Sequence, residues 1–142
     1  MNDINISRYK NKSTSWLKEE LWRLFSLWIR QKEADENGIV RCSTCGAFRH
    51  WRYLDAGHYM SRRHLSTKYN EKNVHPQCKQ CNGPYSGEQA LMARFIDKKY
   101  GLGTAQHLEY TSRRESHWTR FDYILKIQEY KQKLVDHGFE TK

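Results

Sequence analysis

Four cysteines constrain this chain more than any other feature. They stand as Cys42-Ser-Thr-Cys45 and Cys78-Lys-Gln-Cys81, with a polar segment of 32 residues, 46–77, between the pairs. Each CxxC turn offers two sulfurs to one point, so two knuckles supply the four thiolates of a tetrahedral zinc ion. A buried set of reduced thiols without metal is the simpler alternative. A zinc saturated by four thiolates has no open position and cannot activate water, so its work is to fold the segment. Chemistry, if there is any, falls to the residues that the knuckles frame: Asp55-Ala-Gly-His58, Asn73-Val-His75 and Asn82.

Composition narrows the partners. With 37% of 142 residues hydrophobic and 29% charged, a single domain has a modest core that a metal staple would reinforce. Lys plus Arg exceed Asp plus Glu by 25 − 16 = 9, and the pI is near 9.5, which favours an anionic partner. The first fifteen residues, MNDINISRYKNKSTS, hold no apolar run of a signal peptide, and no apolar stretch of about 18 residues could span a bilayer. No lipidation motif supports a membrane-surface role. These features predict a cytoplasmic protein with no membrane partner, where paired CxxC motifs mean metal more often than disulfides.

Read in order, residues 1–12 form a basic start, and Ser13, Thr14 and Ser15 can cap a helix. Leu17, Leu21, Leu24, Phe25, Trp28 and Ile29 follow at spacings of three and four, which predicts a helix ending near Asn37-Gly38. Trp16, Trp22 and Leu27 widen its apolar surface, either for packing on the zinc module or the C-terminal helix or for a dimer or partner surface. A short strand over Ile39–Arg41 leads into the first knuckle, where Gly46 suits a tight turn. Between Arg49 and Met60 the pattern predicts one strand ending near Asp55 and another starting near His58, with Gly57 allowing a turn or a close approach. Trp51 and Tyr59 read as packing residues, and His50, His64 and His107 as ordinary surface residues. Residues 61–72 read as a polar loop bearing Arg62, Arg63, His64, Lys68 and Lys72, either a solvated surface or a phosphate contact. After the turn-rich run 82–87, a helix over 88–100 points Leu91, Phe95 and Ile96 inward, and Gly101 and Gly103 end it. A short helical turn follows Thr104. A long helix over 115–137 has Phe121, Ile124, Leu125, Ile127, Leu134 and Val135 as its apolar set, with Arg113, Arg114, Arg120, Lys126, Lys131 and Lys133 around it. No repeat or linker divides the chain, so 1–142 is expected to be one domain: tail and helix (1–38), zinc-stapled core (39–101) and helical extension (102–142).

Catalysis in such a chain needs a second, harder cation with oxygen ligands, and Asp55 and the side-chain carbonyl of Asn82 are of the right type. A neutral imidazole is the natural base near pH 7, so His58 could take a proton from water while Asn73 or a backbone carbonyl fixes its ring. In phosphodiester cleavage the cation would offset charge growing on the phosphate and the leaving 3′ oxygen.

The order Asn73, Cys78-Lys-Gln-Cys81, Asn82 resembles the second half of the HNH, or ββα-metal, endonuclease motif. More closely, Asp55-Ala-Gly-His58-Tyr-Met-Ser-Arg62, Tyr69-Asn70-Glu-Lys-Asn73-Val-His75-Pro-Gln-Cys78, Cys81-Asn82 and Ser86-Gly87 resemble the phage NinG/Rap recombination-protein family, over roughly residues 41–101. That resemblance implies an α+β fold, with a zinc-bound ββα-metal core flanked by N- and C-terminal helices, and a DNA endonuclease acting on branched intermediates such as Holliday junctions or D-loops. It implies His58 as general base, Asn73 as the residue holding hairpin and helix in register, and Asn82 as a ligand of catalytic Mg²⁺ or Mn²⁺. Cys42, Cys45, Cys78 and Cys81 would hold the structural zinc. Many HNH nucleases place a metal ligand directly before the basic histidine, where this chain has Gly57. Asp55 is the expected substitute and His75 the runner-up, which could equally brace the phosphate. Arg62, Arg63, Lys68 and Lys72 would contact DNA, and symmetric resolution of a junction calls for a homodimer. The rival classes are a non-catalytic zinc module that binds nucleic acid as a recombination or transcription accessory factor, and a protein-interaction module using the helix over Trp16–Ile29.

Overall fold

The computed structural model describes residues 5–83 and 88–142, so Ser86-Gly87 and most of the predicted exit turn lie outside the described residues. Residues group into two compact units, Met1–Trp28 with His117–Lys142, and Ile29–Ser116.

In the first unit, helix α1 (Thr14–Gln31) starts where the Ser13 hydroxyl accepts the Trp16 N–H at 3.0 Å, which satisfies an otherwise orphaned donor. Leu17, Leu21, Leu24 and Phe25 are buried, and Trp28 nearly so. Trp16 and Trp22, both partly buried, meet Tyr9 of the N-terminal 3₁₀ turn and Phe25 of their own helix at ring separations of 6.1 Å, and Leu27 is buried. The C-terminal helix of this unit (Arg120–Asp136) begins five residues later than the sequence pattern predicts. Thr119 and Asp122 form a reciprocal capping box there, and that local set of bonds decides the start. The buried face is also turned: it consists of Tyr123, Ile124, Ile127, Tyr130 and Leu134, whereas Phe121 and Val135 are exposed. Two tyrosines supply the packing that was expected of Phe121 and Val135, with Tyr130 meeting Phe25 edge-on at 5.0 Å.

The second unit holds both sheets. Helix α1 stops at Gln31, short of Gly38, because the Asp35 carboxylate accepts the N–H groups of Asn37 and Ile39 at 2.9 Å each and winds the chain into a turn. Gly38, at φ +78°, then serves strand β1 (Ile39–Arg41) rather than a helix end. β1 pairs antiparallel with β2 (Phe48–His50), matching Val40 to Arg49, and the first knuckle is the loop between them. β3 (Leu54–His58) pairs antiparallel with β4 (Val74–Cys78), in register from Leu54↔Cys78 to His58↔Val74. β3 thus runs straight through Gly57, where a break was expected. Gly57 instead makes room for its neighbour: a Cβ there would lie 1.9 Å from the Gln77 side-chain oxygen.

The connection from β3 to β4 is more ordered than a polar loop. It contains a helical turn, α2 (Leu65–Lys68), and a 3₁₀ turn over Glu71–Asn73. After β4 come α3 (Lys79–Asn82), α4 (Gln89–Tyr100) and a full helix α5 (Thr104–Ser112) in place of the predicted short turn. The final helix described above is α6. Tyr59, Met92, Ile96, Ala105 and Leu108 form the core between β3, α4 and α5. Met92 rather than Leu91 pairs with Ile96 on the inner face of α4, and Leu91 is outside, while Phe95 is partly buried as expected. The class is therefore α+β with two small antiparallel sheets. No described helix is long and apolar enough to cross a membrane.

Candidate functional site

The knuckles converge. The sulfurs of Cys42, Cys45, Cys78 and Cys81 all lie within 4.8 Å of one another, and Cys45 Sγ stands 3.9 Å from Cys78 Sγ. Zinc–sulfur bonds of about 2.3 Å in a tetrahedron set sulfurs about 3.8 Å apart, so the donor set fits zinc. Gly46, at φ +79°, closes the first turn by donating its N–H to the Cys42 carbonyl at 3.0 Å. Ser43 N–H donates to the Pro76 carbonyl at 2.9 Å, fastening that knuckle to β4. Cys78 ends β4 and caps α3, its sulfur accepting the Cys81 N–H at 3.5 Å.

The thiols already respond to one another. Burial pushes Cys42 up, but hydrogen bonds from the Thr44 hydroxyl and from the backbone N–H groups of Cys78, Cys45 and Thr44 outweigh it and bring this thiol down to about 6. Burial pushes Cys81 up to about 12, with the neighbouring Cys78, Cys45 and Cys42 sulfurs adding to the rise. One thiolate forms readily and its neighbours then resist, so full ionisation needs a cation among the sulfurs.

One residue beyond Cys81, Asn82 reaches back across the sheet. Its Nδ2 donates to the Asp55 Oδ2 at 3.1 Å, bringing together the two oxygen ligands expected from sequence. Asp55 is opposite Gln77 and shares a face of β3 with Gly57, so a carboxylate two residues earlier projects from the same side as that glycine. The Lys79 ammonium sits on the other carboxylate oxygen. A cation thus already rests on Asp55, and turning the Asn82 amide to present its oxygen would complete a two-ligand set of the kind that leaves Mg²⁺ several waters. The residues fit a hard divalent cation on condition that Lys79 withdraws.

His58 is three residues further along β3 and on its opposite face. Its Nε2 is 2.9 Å from the Lys68 carbonyl, so the ring donates there and Nδ1 is its basic nitrogen. Of the two orienting groups considered, the backbone carbonyl is the one in contact. Burial depresses this imidazole to about 4, and the charges of Arg62 and Lys68 act in the same direction, while the bond to Lys68 opposes them. The ring is therefore neutral at pH 7.

Asn73 is fully buried. Its Oδ1 accepts the Met60 N–H at 2.8 Å, and its Nδ2 donates to the carbonyls of Met60 and Thr67 at 3.1 and 3.2 Å. It ties the end of β3 to the α2 segment, which is a register role within the hairpin and its loop. His75 is 1% exposed, donates from Nε2 to the Lys72 carbonyl at 2.8 Å, and packs against Phe95 and Tyr100 at 5.0 and 5.9 Å. That surrounding is a core position on the sheet face that also carries Asp55, and the His75 Nδ1 has no hydrogen-bond partner among the described residues. Arg62, Arg63 and Lys72 are exposed and Lys68 is half-buried, its ammonium over the Tyr69 ring at 5.3 Å. His64 and His50 are partly buried and His107 is exposed; His50 Nδ1 accepts the Arg52 N–H at 3.2 Å, so it belongs to a turn rather than the open surface. Trp51 and Tyr59 are buried, in keeping with packing roles.

Two residues that shape the site went unnoticed in the sequence, Lys79 and Gln77. Lys79 follows Cys78, the strand partner of Leu54, and this register brings it to Asp55, a placement that only the β3–β4 pairing reveals. Gln77 gave no signal until Gly57 was placed opposite its strand.

A family profile described as bacteriophage lambda NinG protein matches residues 2–138. Protein ninG of Salmonella phage P22 is 29% identical over 119 residues, covering 78% of this chain and 58% of that protein. Protein ninG of Escherichia phage lambda is 29% identical over 119 residues, covering 78% and 57%, and that of Escherichia phage 933W is 28% identical, covering 78% and 58%. The chain spans less than two thirds of the length of these curated relatives. No solved structure matches it.

Proposed function

The chain belongs to the NinG family, and from that premise we propose that it is an HNH-type, ββα-metal endonuclease that hydrolyses phosphodiesters of branched DNA such as Holliday junctions or D-loops. The observation that carries this reading is the meeting of the Asp55 carboxylate with the Asn82 carboxamide at 3.1 Å, one residue past the cysteine cluster. The order β3, β4, α3 is that of a ββα unit.

Asp55 and Asn82 would hold Mg²⁺ or Mn²⁺, which would supply compensation for charge growing on the phosphate and the departing 3′ oxygen. His58 takes the proton of the attacking water at Nδ1, its ring set by the Lys68 carbonyl and kept neutral by burial. Asn73 acts through position, holding the strand end that carries His58. Arg62, Arg63, Lys68 and Lys72 contact phosphates, and the net charge of +9 adds attraction that weakens with salt. The products carry 5′-phosphate and 3′-hydroxyl ends, and cutting both strands of a junction symmetrically calls for a homodimer.

The Lys79–Asp55 ion pair favours a second reading, a zinc-bound nucleic-acid-binding module without catalysis, because an ammonium on the carboxylate does the job of the missing cation. Purified protein is incubated with a labelled four-way junction and with linear duplex, in Mg²⁺, Mn²⁺ or EDTA, beside His58→Ala. The endonuclease reading expects metal-dependent cutting of the junction, reduced by about 10² to 10⁴ in the variant. Binding with no cutting in any metal establishes the second reading, and equal cutting of linear duplex discards the branched substrate.

A further inference from the structure

The ribbon formed by β1 and β2 presents a surface that neither the zinc nor the Asp55–Asn82 pair uses. Phe48 is 65% exposed and Tyr53 is 70% exposed. Most large apolar groups exposed elsewhere, among them Leu91, Leu102 and Val135, are aliphatic. On the ribbon two aromatic rings stand a few residues apart, with His50 between them. Phe48 and His50 alternate onto one face of β2, about 7 Å apart along the strand, and His50 meets Tyr53 edge-on at 6.4 Å. The rings therefore form a row rather than isolated points.

Positive charge surrounds that row. Residues 38–53 contain Arg41, Arg49 and Arg52 and no acidic residue. Arg41, the cross-strand partner of Phe48, holds its guanidinium over the Phe48 ring at 5.7 Å and donates from Nε to the Gly46 carbonyl at 3.3 Å. Arg49 donates to the Phe48 carbonyl at 2.8 Å and remains exposed, and Arg52 lies over Trp51 at 5.2 Å with its residue exposed. A zinc with four thiolates carries a formal charge of about −2, which Arg41, tethered to the knuckle, is placed to offset. Arg49, paired with Val40, starts from the opposite face, and Arg52 adds charge beside Tyr53 just past the end of β2.

We propose that this ribbon face binds single-stranded DNA, with Phe48 and Tyr53 as platforms for unpaired bases and Arg41 and Arg52 on the phosphates. Stacking on exposed rings needs bases with a free face, which a duplex does not offer, and the arginines of residues 38–53, with the Asp35 carboxylate held at the foot of β1 by the Asn37 and Ile39 N–H groups, select a polyanion over an acid-bearing or aliphatic protein surface. The ribbon holds the single strand whether or not the Asp55–Asn82 pair cuts.

The test uses the full zinc-loaded chain and the fluorescence anisotropy of labelled oligo(dT) of about 16 nucleotides and of a duplex of the same length. Phe48→Ala/Tyr53→Ala is expected to weaken oligo(dT) binding by tenfold or more for each ring, with less than a twofold change on duplex and an unchanged zinc content. Phe48→Trp is expected to hold or strengthen the oligo(dT) affinity. The proposal is overturned if the wild type fails to bind oligo(dT), if the double variant binds it as well as the wild type, or if single strand and duplex weaken alike. Loss of junction cutting with oligo(dT) binding intact counts against the endonuclease alone.

Discussion

The cysteine cluster and the Asp55–Asn82 pair share one corner of the fold, where β4 turns into α3, and they are prepared to different degrees. In the cluster, four sulfurs gather within 4.8 Å through backbone turns alone, and adjacent thiols resist losing their protons together. At the pair, a carboxylate and an amide have met, but the carboxylate is satisfied by Lys79 and the amide presents its nitrogen. The first arrangement gathers four donors suited to a soft cation, whereas the second is already satisfied by the chain's own groups.

The strongest way to break this comparison is to remove a sulfur. Cys78→Ser takes away the ligand that ends β4 and caps α3 together, so zinc content should fall from one ion per chain toward zero. Structural zinc sites contribute on the order of 10 kcal/mol of apparent binding energy, and the variant should lose its cooperative unfolding transition in circular dichroism. Retained zinc with an unchanged transition would show that the cluster is not the staple. Asn73→Ala is expected to cost about 3 kcal/mol by urea denaturation, because three buried bonds to Met60 and Thr67 lose their partner. Zinc content should survive that change, which separates the hairpin register from the metal.

Acid acts on the same unit through its buried histidines. Burial holds His58 and His75 at about 4, below the ordinary 6.5. Between those values the unfolded chain binds protons that the folded chain refuses, so stability is full above about pH 6.5 and is lost as pH falls toward 4. Each histidine contributes on the order of 3 kcal/mol to that loss at most. Protonation of the thiolates adds to it, so the check is comparative: His75→Phe, whose ring can pack between Phe95 and Tyr100, should show a shallower fall in urea midpoint between pH 7 and 5 than the wild type.

Gly57→Ala tests whether the oxygen site is as finely fitted as the sulfur site. The new methyl meets the Gln77 amide oxygen at 1.9 Å, which should cost about 2 kcal/mol as Gln77 is displaced. Adding Gln77→Ala should recover part of the loss, with a coupling of about 1 kcal/mol or more in the double-mutant cycle. Additive losses would mean that the two side chains do not compete for that space.

Short-range patterns made the cysteine cluster legible in the sequence, since two sulfurs three residues apart fix their own turn. Asp55 and Asn82 were legible as oxygen ligands by residue type and by resemblance, but their meeting was not, because it depends on β3 pairing with β4. β4 was hidden: Val74-His-Pro-Gln-Cys78 buries its first four residues in succession, shows no alternation, and contains a proline whose carbonyl, rather than its missing N–H, serves the fold through Ser43. Without β4, Gly57 looked like a break and the 61–72 segment like a loop. The turned faces of α4 and α6 were hidden because Met92, Tyr123 and Tyr130 did the packing assigned to Leu91, Phe121 and Val135. Lys79 escaped notice because its importance depends on a carboxylate 24 residues away.

Lys79→Met is the smallest perturbation and the most informative about the oxygen site. The lysine side chain is 69% exposed, and exposed ion pairs contribute roughly 0–1 kcal/mol, so the urea midpoint should hardly move. The methionine keeps much of the aliphatic length of the stem and removes the ammonium that competes with a cation for Asp55. Mn²⁺ affinity, followed by isothermal titration in zinc-loaded protein, should therefore rise several-fold in the variant and vanish again when Asp55→Ala is added. If Lys79→Met leaves Mn²⁺ binding undetectable, Asp55 and Asn82 are a structural contact only, and the corner where β4 meets α3 holds a single metal.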